Sequence, residues 1–227
     1  KQLNHQGHVK MECEKLLENG YTIFTINHRA TPRFKFPAPI EDAQRAVRFI
    51  RHNAEKFKIN PEKIGAIGGS SGGNIVLMLG LLDGKGDNQN IDLTERESAK
   101  VQAVIARAPV TSFLMQDSYH NSIYLGHRGK EINVINSPEY NIAKKASPIS
   151  HVSNDDPPIL LMHGDKDKTV PILHSKILLD SLDKYNIESE LIVIEGAGHG
   201  PSFKGGLKIL NIDSLRIDWF NKNLLAK

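Results

Sequence analysis

The chain has 227 residues, of which 39% are hydrophobic and 24% are charged, values close to ordinary globular usage that argue against a disordered or membrane-embedded protein. Its 29 basic and 26 acidic residues give a net charge of +3 and are spread along the chain, which argues against nucleic acid as a partner. The longest apolar stretch, around residues 75–82, is too short to span a bilayer, so we expect one globular domain over residues 1–227 without a membrane span.

The first half of the chain alternates between strand and helix patterns. Cys13, the single cysteine, lies in a predicted helix and has no partner for an internal disulfide. Residues 21–27 (YTIFTIN) are rich in β-branched and aromatic residues, which predicts a buried strand. From Ile40 to about Pro61 the apolar residues recur at helical spacing, which predicts an amphipathic helix. Residues 63–68 predict a second strand that runs directly into an apolar helix over residues 71–82.

The second half of the chain continues this alternation. Residues 101–108, 159–162 and 190–194 predict three further strands. A helix with Leu178, Leu182 and Tyr185 on one face separates the last two strands, and a terminal helix over about residues 210–224 follows them. Strands that alternate with helices through short loops predict an α/β fold, with a mostly parallel sheet and helices on both faces.

Residues 110–154 interrupt the pattern. They carry three tyrosines and several glycine and proline breakers, without a clean helical or strand period. An irregular insertion of this length after a strand is more often a lid or a binding loop than a passive connection. We therefore expect this region to shape a substrate pocket.

A glycine–serine segment lies at the junction of the strand at 63–68 and the helix at 71–82. Residues 68–72 (GGSSG) fit the G-x-S-x-G pattern, in which a strained turn projects a serine hydroxyl above the sheet. The pattern also fits one residue later, with Ser71 as the nucleophile, so the spacing alone leaves both serines open. We favour Ser70, because the strand then ends one residue earlier and the Ser71 amide lies where the first oxyanion donor belongs.

A serine nucleophile needs a base and an acid that orients the base, and in enzymes of this architecture the three follow in the order serine, acid, histidine. Asp165 and Asp167 follow the strand at 159–162, and His199 follows the strand at 190–194. Either aspartate could reach the histidine; we favour Asp167, because the extra residues carry it past the strand end. Ser70, Asp167 and His199 therefore predict a serine hydrolase with its site at the C-terminal edge of the sheet.

Other chemistries lack their signatures in the sequence. The glycine segment is not followed by the Lys-Ser/Thr pair of a phosphate-binding loop, and G-x-G-x-x-G does not occur. The sequence also lacks His-Glu-x-x-His and a close cluster of His, Cys and carboxylate residues. We therefore expect no cofactor and no metal.

Five segments point to a known enzyme family. They are FPAPIEDAQRAVRFIRHNAEKF, INPEKIGAIGGSSGG, ASPISHV, DDPPILLMHGDKDKTVP and GAGHG. Together they resemble the carboxylesterases related to hormone-sensitive lipase, most closely the acetyl-xylan and feruloyl esterase-like group, over nearly the whole chain from Tyr21. The resemblance implies the α/β-hydrolase fold, with Ser70 as nucleophile, Asp167 as acid and His199 as base, and with a substrate pocket shaped by residues 110–154.

The sequence departs from this family near its N-terminus. Relatives carry an HGGG-type segment that supplies the second oxyanion donor, and residues 4–7 (NHQG) are at best a remnant of it. In the family the strand that carries this segment lies between the strands at 21–27 and 63–68, so its absence would leave two buried strand edges unpaired. We therefore expect that an N-terminal segment is absent from the given chain, or that another chain or a rearranged segment fills the gap.

These features predict hydrolysis of a small carboxylic ester through an acyl-enzyme, with an acetyl or aromatic acyl group on a sugar as the expected substrate type. Two alternatives stay open. One is a serine peptidase of the prolyl-oligopeptidase kind, which shares the order of triad residues, and the other is a catalytically impaired hydrolase fold used as a binding module. The sequence favours neither a cytoplasmic nor an exported location, and no particular oligomeric state.

Overall fold

The fold is that of a computed structural model, which describes residues 13–115, 118–126, 130–200, 203–207 and 210–225. Residues 4–7, the expected remnant of the oxyanion segment, lie outside these ranges. Within the ranges, no helix is long and apolar enough to cross a membrane.

Among the described residues, one parallel sheet forms the centre of the fold. Its strands, hydrogen bonded to one another in this order, are β1 (Gly65–Gly69), β2 (Ala103–Arg107), β3 (Ile159–Gly164) and β4 (Ser189–Ile194). β2 and β3 are buried along their whole length, as expected for central strands that are covered on both faces. The four strands predicted from residue 63 onwards are confirmed, with small differences at their ends.

Helices connect the strands and cover both faces of the sheet. In chain order they are α1 (residues 13–18), α2 (Ala38–His52), α3 (Ala54–Phe57), α4 (Ser71–Leu81), α5 (Ser118–Tyr124), α6 (Pro138–Ala146), α7 (Leu173–Lys184) and α8 (Ile212–Phe220). Short 3-10 helices lie at Leu93–Arg96, Lys130–Asn133 and Pro148–His151, and a π-helical turn at Asn221–Leu225 follows α8.

Alternate residues of the central strands contact two hydrophobic layers. Val104 and Leu161 pack in a layer that includes α2, α4 and α7, whereas Ile105 and Leu160 pack in a layer that includes α1 and α8. α4 is buried from its third residue to its end, which explains why its sequence is apolar on nearly every side. The predicted α/β architecture with helices on both faces is therefore confirmed.

The buried strand predicted at residues 21–27 is wrong. These residues form no strand, and Phe24 and Ile26 are 37% and 42% exposed. β1 ends the strand order on this side, and its outer edge pairs with no strand among the described residues. A strand forms only when its backbone is hydrogen bonded to a neighbouring strand. No described strand pairs with residues 21–27, although their composition favours strand structure. β1 itself is partly exposed, which differs from the buried edge that the sequence led us to expect.

The helix predictions need smaller corrections. The helix predicted from Ile40 to Pro61 is divided at Asn53 into α2 and α3. Leu178 and Leu182 are buried as predicted, but Tyr185 follows α7 and is 46% exposed. The region 110–154 contains α5 and α6, which have seven and nine residues and are too short to show a clear apolar period.

The first turn of α7 contains a buried histidine, His174. Its Nδ1 accepts a hydrogen bond from the Thr111 amide at 3.2 Å, and Thr111 Oγ1 donates to the His174 carbonyl at 2.7 Å. Burial, and to a smaller extent the neighbouring His163, lower the pKa of His174 to about 4. The imidazole is therefore neutral at neutral pH and ties α7 to the segment after β2.

We expect the protein to lose stability in acid as His174 becomes protonated. A histidine whose pKa is about 4 when folded and about 6.5 when unfolded contributes stability that is complete above pH 6.5 and is lost as the pH falls towards 4. At about 1.4 kcal/mol per pKa unit, the loss approaches ~3 kcal/mol. Urea unfolding above and below this window measures it. His174→Asn keeps an acceptor near Thr111 but cannot titrate, and an unchanged pH dependence in this variant would contradict the prediction.

Candidate active site

Three loops at the C-terminal edge of the sheet carry the predicted site residues. Ser70 directly follows β1, Asp167 lies in the loop after β3, and His199 lies in the loop after β4. Because the strands are parallel, their carboxyl ends lie at one edge, where α/β proteins generally bind ligands. The fold therefore brings together side chains that are far apart in sequence.

The turn at Ser70 is strained and tightly packed. Ser70 has φ +56° and ψ −120°, a rare conformation for a residue with a Cβ, and α4 begins at the next residue. The Ser70 amide donates to the Arg107 carbonyl at 2.8 Å, which ties the turn to β2. A Cβ at Gly68 would lie 2.4 Å from the Gly72 carbonyl oxygen. The close approach of the backbone on the two sides of the serine therefore requires glycine at position 68.

We expect Gly68→Ala to destabilise the protein and Gly72→Ala to be tolerated. The methyl group at position 68 would overlap backbone atoms, which cannot move aside as a flexible side chain can, and overpacking typically costs about 1–3 kcal/mol. Nothing lies within 4 Å of a Cβ built at Gly72, and alanine is a better helix former than glycine. Urea unfolding of both variants measures the difference, and equal stabilities would contradict the prediction.

Ser70, His199 and Asp167 form a continuous hydrogen-bonded chain. His199 Nε2 lies 3.0 Å from Ser70 Oγ, and His199 Nδ1 lies 2.6 Å from Asp167 Oδ2. A carboxylate can only accept, so Nδ1 carries the proton and Nε2 accepts from the serine hydroxyl. This is the tautomer in which a histidine can remove the proton of a serine.

The Asp167 carboxylate is buried and fixed by its own loop. Its Oδ1 accepts hydrogen bonds from the amides of Thr169 at 2.8 Å and Val170 at 2.9 Å, and its Oδ2 accepts from His199. A buried carboxylate is costly unless its oxygens are hydrogen bonded. These three donors therefore hold the charged group in one orientation.

The geometry distinguishes between the residues that the sequence left open. His199 Nε2 contacts the hydroxyl of Ser70, whereas the neighbouring Ser71 is exposed at the start of α4. The Asp165 carboxylate accepts a hydrogen bond from the Gly196 amide at 2.6 Å, and the carboxylate that contacts His199 is that of Asp167. The arrangement agrees with the choice of Ser70 and Asp167 over their neighbours.

The acid loop (residues 165–172, after β3) and the histidine loop (residues 195–200, after β4) hold each other through contacts that the sequence did not predict. Asp165 braces the histidine loop through the Gly196 amide, and the Lys166 amide donates to the Ala197 carbonyl at 2.9 Å. A Cβ at Gly164 would lie 2.3 Å from the same carbonyl oxygen, so the two loops pack backbone against backbone. Gly164, the last residue of β3, is the signal from which this close approach could have been predicted.

A cavity of about 140 Å³ lies beside Ser70. Its described lining comes mainly from the start of α4, the segment from the end of β2 through α5, and the acid loop, and consists of Thr31, Ser70, Ser71, Asn74, Val110, Phe113, His120, Ile123, Tyr124, Thr169 and Val170. Five of these residues belong to the region 110–154. This region therefore forms one side of the cavity.

Phe113 and Tyr124 form an aromatic wall of the cavity. Their rings are stacked, with centroids 4.7 Å apart and planes inclined by 6°. Tyr124 Oη donates to Asn74 Oδ1 at 3.1 Å, and Asn74 Nδ2 in turn donates to the carbonyls of Val110 and Ala146. Burial raises the pKa of Tyr124, so the phenol stays protonated and keeps this hydrogen bond. The aromatic wall is thereby anchored to α4.

The fold and the site geometry together define the class of protein. A parallel sheet between two helical layers, with a strained serine between strand and helix, is characteristic of the α/β-hydrolase fold, and similar solved structures agree with this assignment. Within that class, the sequence model of the family described as BD-FAE matches residues 1–182. The chain therefore belongs to the BD-FAE family.

Known proteins similar to this chain include esterases. Esterase LipQ of Mycobacterium tuberculosis is 29% identical over 164 residues, which make up 71% of this chain and 38% of that protein. Esterase LipC of the same organism is 25% identical over 200 residues, or 86% of this chain and 48% of that protein. The chain thus spans less than half the length of these curated relatives.

Two solved structures are similar over most of this chain. The acetyl ester-xyloside bifunctional hydrolase from Caldicellulosiruptor lactoaceticus has a TM-score of 0.82 and 28% identity, covering 92% of this chain and 74% of that one. A truncated form of a carbohydrate esterase from gut microbiota has a TM-score of 0.78 and 27% identity, covering 93% of this chain and 77% of that one. The similarity therefore extends well beyond the serine turn.

Proposed function

We propose that the protein is a serine carboxylic-ester hydrolase, with Ser70 as nucleophile, His199 as general base and Asp167 as the acid that orients the base. The observation that carries this proposal is the hydrogen-bonded chain from Ser70 Oγ through His199 to Asp167, with distances of 3.0 and 2.6 Å. Membership of the BD-FAE family and the esterase relatives support the same reaction class.

The proposed reaction has two stages that share one set of groups. Ser70 Oγ attacks the ester carbonyl carbon while His199 Nε2 takes the hydroxyl proton, and Asp167 stabilises the resulting imidazolium. The tetrahedral intermediate expels the alcohol, which leaves with the proton from His199, and an acyl-serine ester forms. Water then attacks this ester with His199 as base, and the carboxylic acid leaves as Ser70 regains its proton.

The Ser71 amide is the proposed first oxyanion donor. Ser71 is the first residue of α4, and the first amides of a helix have no partner within the helix. The partial positive charge at a helix N-terminus also favours the negative oxygen of the tetrahedral intermediate. The oxyanion would develop next to Ser70, at the N-terminal end of α4, and the first amides of a helix point out of this end.

The cavity favours a short acyl group. Its volume of about 140 Å³ is close to the roughly 150 Å³ of a protein cavity that accommodates one benzene molecule. Acetyl and butyryl groups fit in such a volume, whereas a feruloyl group adds a propenoyl linker and ring substituents to a benzene ring. We therefore rank short-chain acyl esters above feruloyl esters as substrates, with the region 110–154 setting the limit.

A sugar-linked alcohol is the proposed leaving group. His199, which would return the proton to this alcohol, has a side chain that is 23% exposed, so a bulky alcohol can extend into solvent. Similar structures include an acetyl ester-xyloside hydrolase and a carbohydrate esterase. Acetylated carbohydrate is therefore the substrate class that we infer.

We expect p-nitrophenyl acetate and butyrate to be hydrolysed with a kcat/KM at least about tenfold above that for the octanoate, since even one methylene that a pocket rejects can cost this much. Tyr124→Ala removes half of the aromatic wall and should raise the ratio of octanoate to acetate hydrolysis. Tyr124→Phe keeps the ring and loses only the bond to Asn74, so its ratio should stay near that of the wild type. Equal ratios in all three proteins would contradict the assignment of the acyl pocket.

Substrate comparison also separates the proposal from its alternatives. A peptidase of the prolyl-oligopeptidase kind would cleave a dipeptide amide in preference to p-nitrophenyl acetate, and a binding module would hydrolyse neither. Deacetylation of an acetylated xylooligosaccharide tests the inferred substrate class directly. Cleavage of p-nitrophenyl acetate without release of acetate from the oligosaccharide would reject the sugar-linked substrate and keep the esterase.

A further inference from the structure

His163, near the end of β3, is fully buried and uses both ring nitrogens. Its Nε2 lies 2.8 Å from the Val170 carbonyl oxygen, and its Nδ1 lies 2.7 Å from Ser175 Oγ in α7. A carbonyl can only accept, so Nε2 carries the proton and Nδ1 accepts from the Ser175 hydroxyl. His163 therefore links α7 to the acid loop in one defined tautomer.

Val170 is hydrogen bonded both to His163 and to the proposed catalytic acid, Asp167. Val170 accepts from His163 through its carbonyl and donates through its amide to Asp167 Oδ1 at 2.9 Å. His163 Nε2 also lies 3.5 Å from Asp167 Oδ2, the oxygen that accepts from His199. The buried Nε2–H group of His163 thus lies near the Asp167 carboxylate and also holds Val170, whose amide donates to that carboxylate.

We propose that His163 is a positioning residue that fixes the orientation of Asp167 towards His199 through Val170. The inference rests on the proposed function, since it concerns the support of the proposed catalytic acid. Burial lowers the pKa of His163, so the imidazole is neutral at neutral pH and keeps its pattern of donor and acceptor. Misplacement of a catalytic group by about 1 Å costs on the order of 100-fold in rate, which sets the size of the expected effect.

Glutamine and asparagine provide a matched pair of substitutions at position 163. The amide nitrogen of glutamine can occupy the position of imidazole Nε2 and donate to Val170, whereas asparagine reaches only the position of Nδ1. His163→Gln should keep most of the wild-type kcat for p-nitrophenyl acetate, and His163→Asn should lose on the order of 100-fold, with little change in KM. Equal kcat values for the two variants would overturn the proposal.

A double-mutant cycle with Asp167→Ala distinguishes positioning from general destabilisation. If His163 acts through Asp167, His163→Asn lowers kcat in the wild type and causes no further loss once Asp167 has been removed. The same loss in both backgrounds would overturn the proposal.

Ser175→Ala, which removes only the donor to Nδ1, enters the same cycle if His163→Asn does not fold. It should cause a smaller loss, again confined to the wild-type background, and a loss in both backgrounds would again count against the proposal.

Leu182→Ala is the control for stability. Leu182 is fully buried in α7, about two turns beyond Ser175, and its truncation removes core volume on the same helix. This variant should unfold at a lower temperature than the wild type, as we also expect of His163→Asn, with kcat near the wild-type value. A comparable fall in kcat for Leu182→Ala would assign the His163 effect to stability and overturn the proposal.

Ser70→Ala, measured with the same ester, separates failure of this inference from failure of the proposed function. Equal hydrolysis by the wild type and Ser70→Ala would reject the proposed function itself. Loss of hydrolysis in Ser70→Ala, together with full activity in His163→Asn, would reject only the role of His163.

Discussion

Ser70→Ala is expected to lower kcat for p-nitrophenyl acetate by about 10⁶-fold, the loss typical of a serine nucleophile in a triad. The substitution removes the atom that attacks the carbonyl and leaves only substrate binding and the oxyanion donors. The hydroxyl that is lost is the one that His199 Nε2 contacts at 3.0 Å. Steady-state rates, corrected for spontaneous hydrolysis, measure the loss, and circular dichroism checks that the variant folds.

Ser71→Ala is the matched control for this prediction. It removes a hydroxyl from the adjacent residue and keeps the backbone amide that we propose as an oxyanion donor. The loss of kcat should therefore be far smaller than that of Ser70→Ala. If Ser71→Ala abolished hydrolysis while Ser70→Ala retained it, the nucleophile would be Ser71, and the assignment of the turn would be wrong.

Asp167→Asn is expected to lower kcat by about 10⁴-fold, because an amide at this position favours the wrong histidine tautomer. The carboxylate accepts from His199 Nδ1 at 2.6 Å and its side chain is fully buried, so solvent cannot compensate for the loss of its negative charge. KM should change little, since the acid acts on the histidine and not on the substrate. The same ester assay, over a range of substrate concentrations, gives both constants.

Asp165→Asn is the control for the acid. An asparagine oxygen can still accept from the Gly196 amide, as the aspartate does at 2.6 Å, so the brace between the loops is kept. We expect kcat near the wild-type value for this variant. A larger loss of kcat in Asp165→Asn than in Asp167→Asn would show that the two aspartates have been assigned in the wrong order.

The sequence allowed the prediction of the sheet and of the site wherever the signal is local. β1 to β4 are short apolar runs bounded by turn residues, and parallel strands bring their carboxyl ends to one edge. Chain order then places a serine, an acid and a histidine at this edge, whereas the choices of Ser70 over Ser71 and of Asp167 over Asp165 need further argument. Residues that lie directly after strands are therefore the part of an α/β site that a sequence predicts best.

Features that depend on distant partners could not be predicted. Residues 21–27 have strand composition, but a strand also needs a neighbour, and no described strand pairs with the outer edge of β1. The histidine of the HGDKD segment looks like a loop residue in sequence. Its contacts with Val170 and Ser175 are visible only once α7 has packed against the acid loop. The stacking of Phe113 on Tyr124 likewise depends on helix α5, which is too short to show a period.

Covalent labelling tests the central claim, that the hydroxyl of Ser70 is activated by the histidine beside it. A fluorophosphonate reacts with an activated serine and not with an ordinary surface hydroxyl, and mass spectrometry of the digested protein locates the adduct. The account predicts one adduct on Ser70 in the wild type, none in Ser70→Ala, and greatly slowed labelling in His199→Ala. Labelling of Ser70→Ala at the wild-type rate, or an unmodified Ser70 in a fully inhibited wild-type protein, would contradict it.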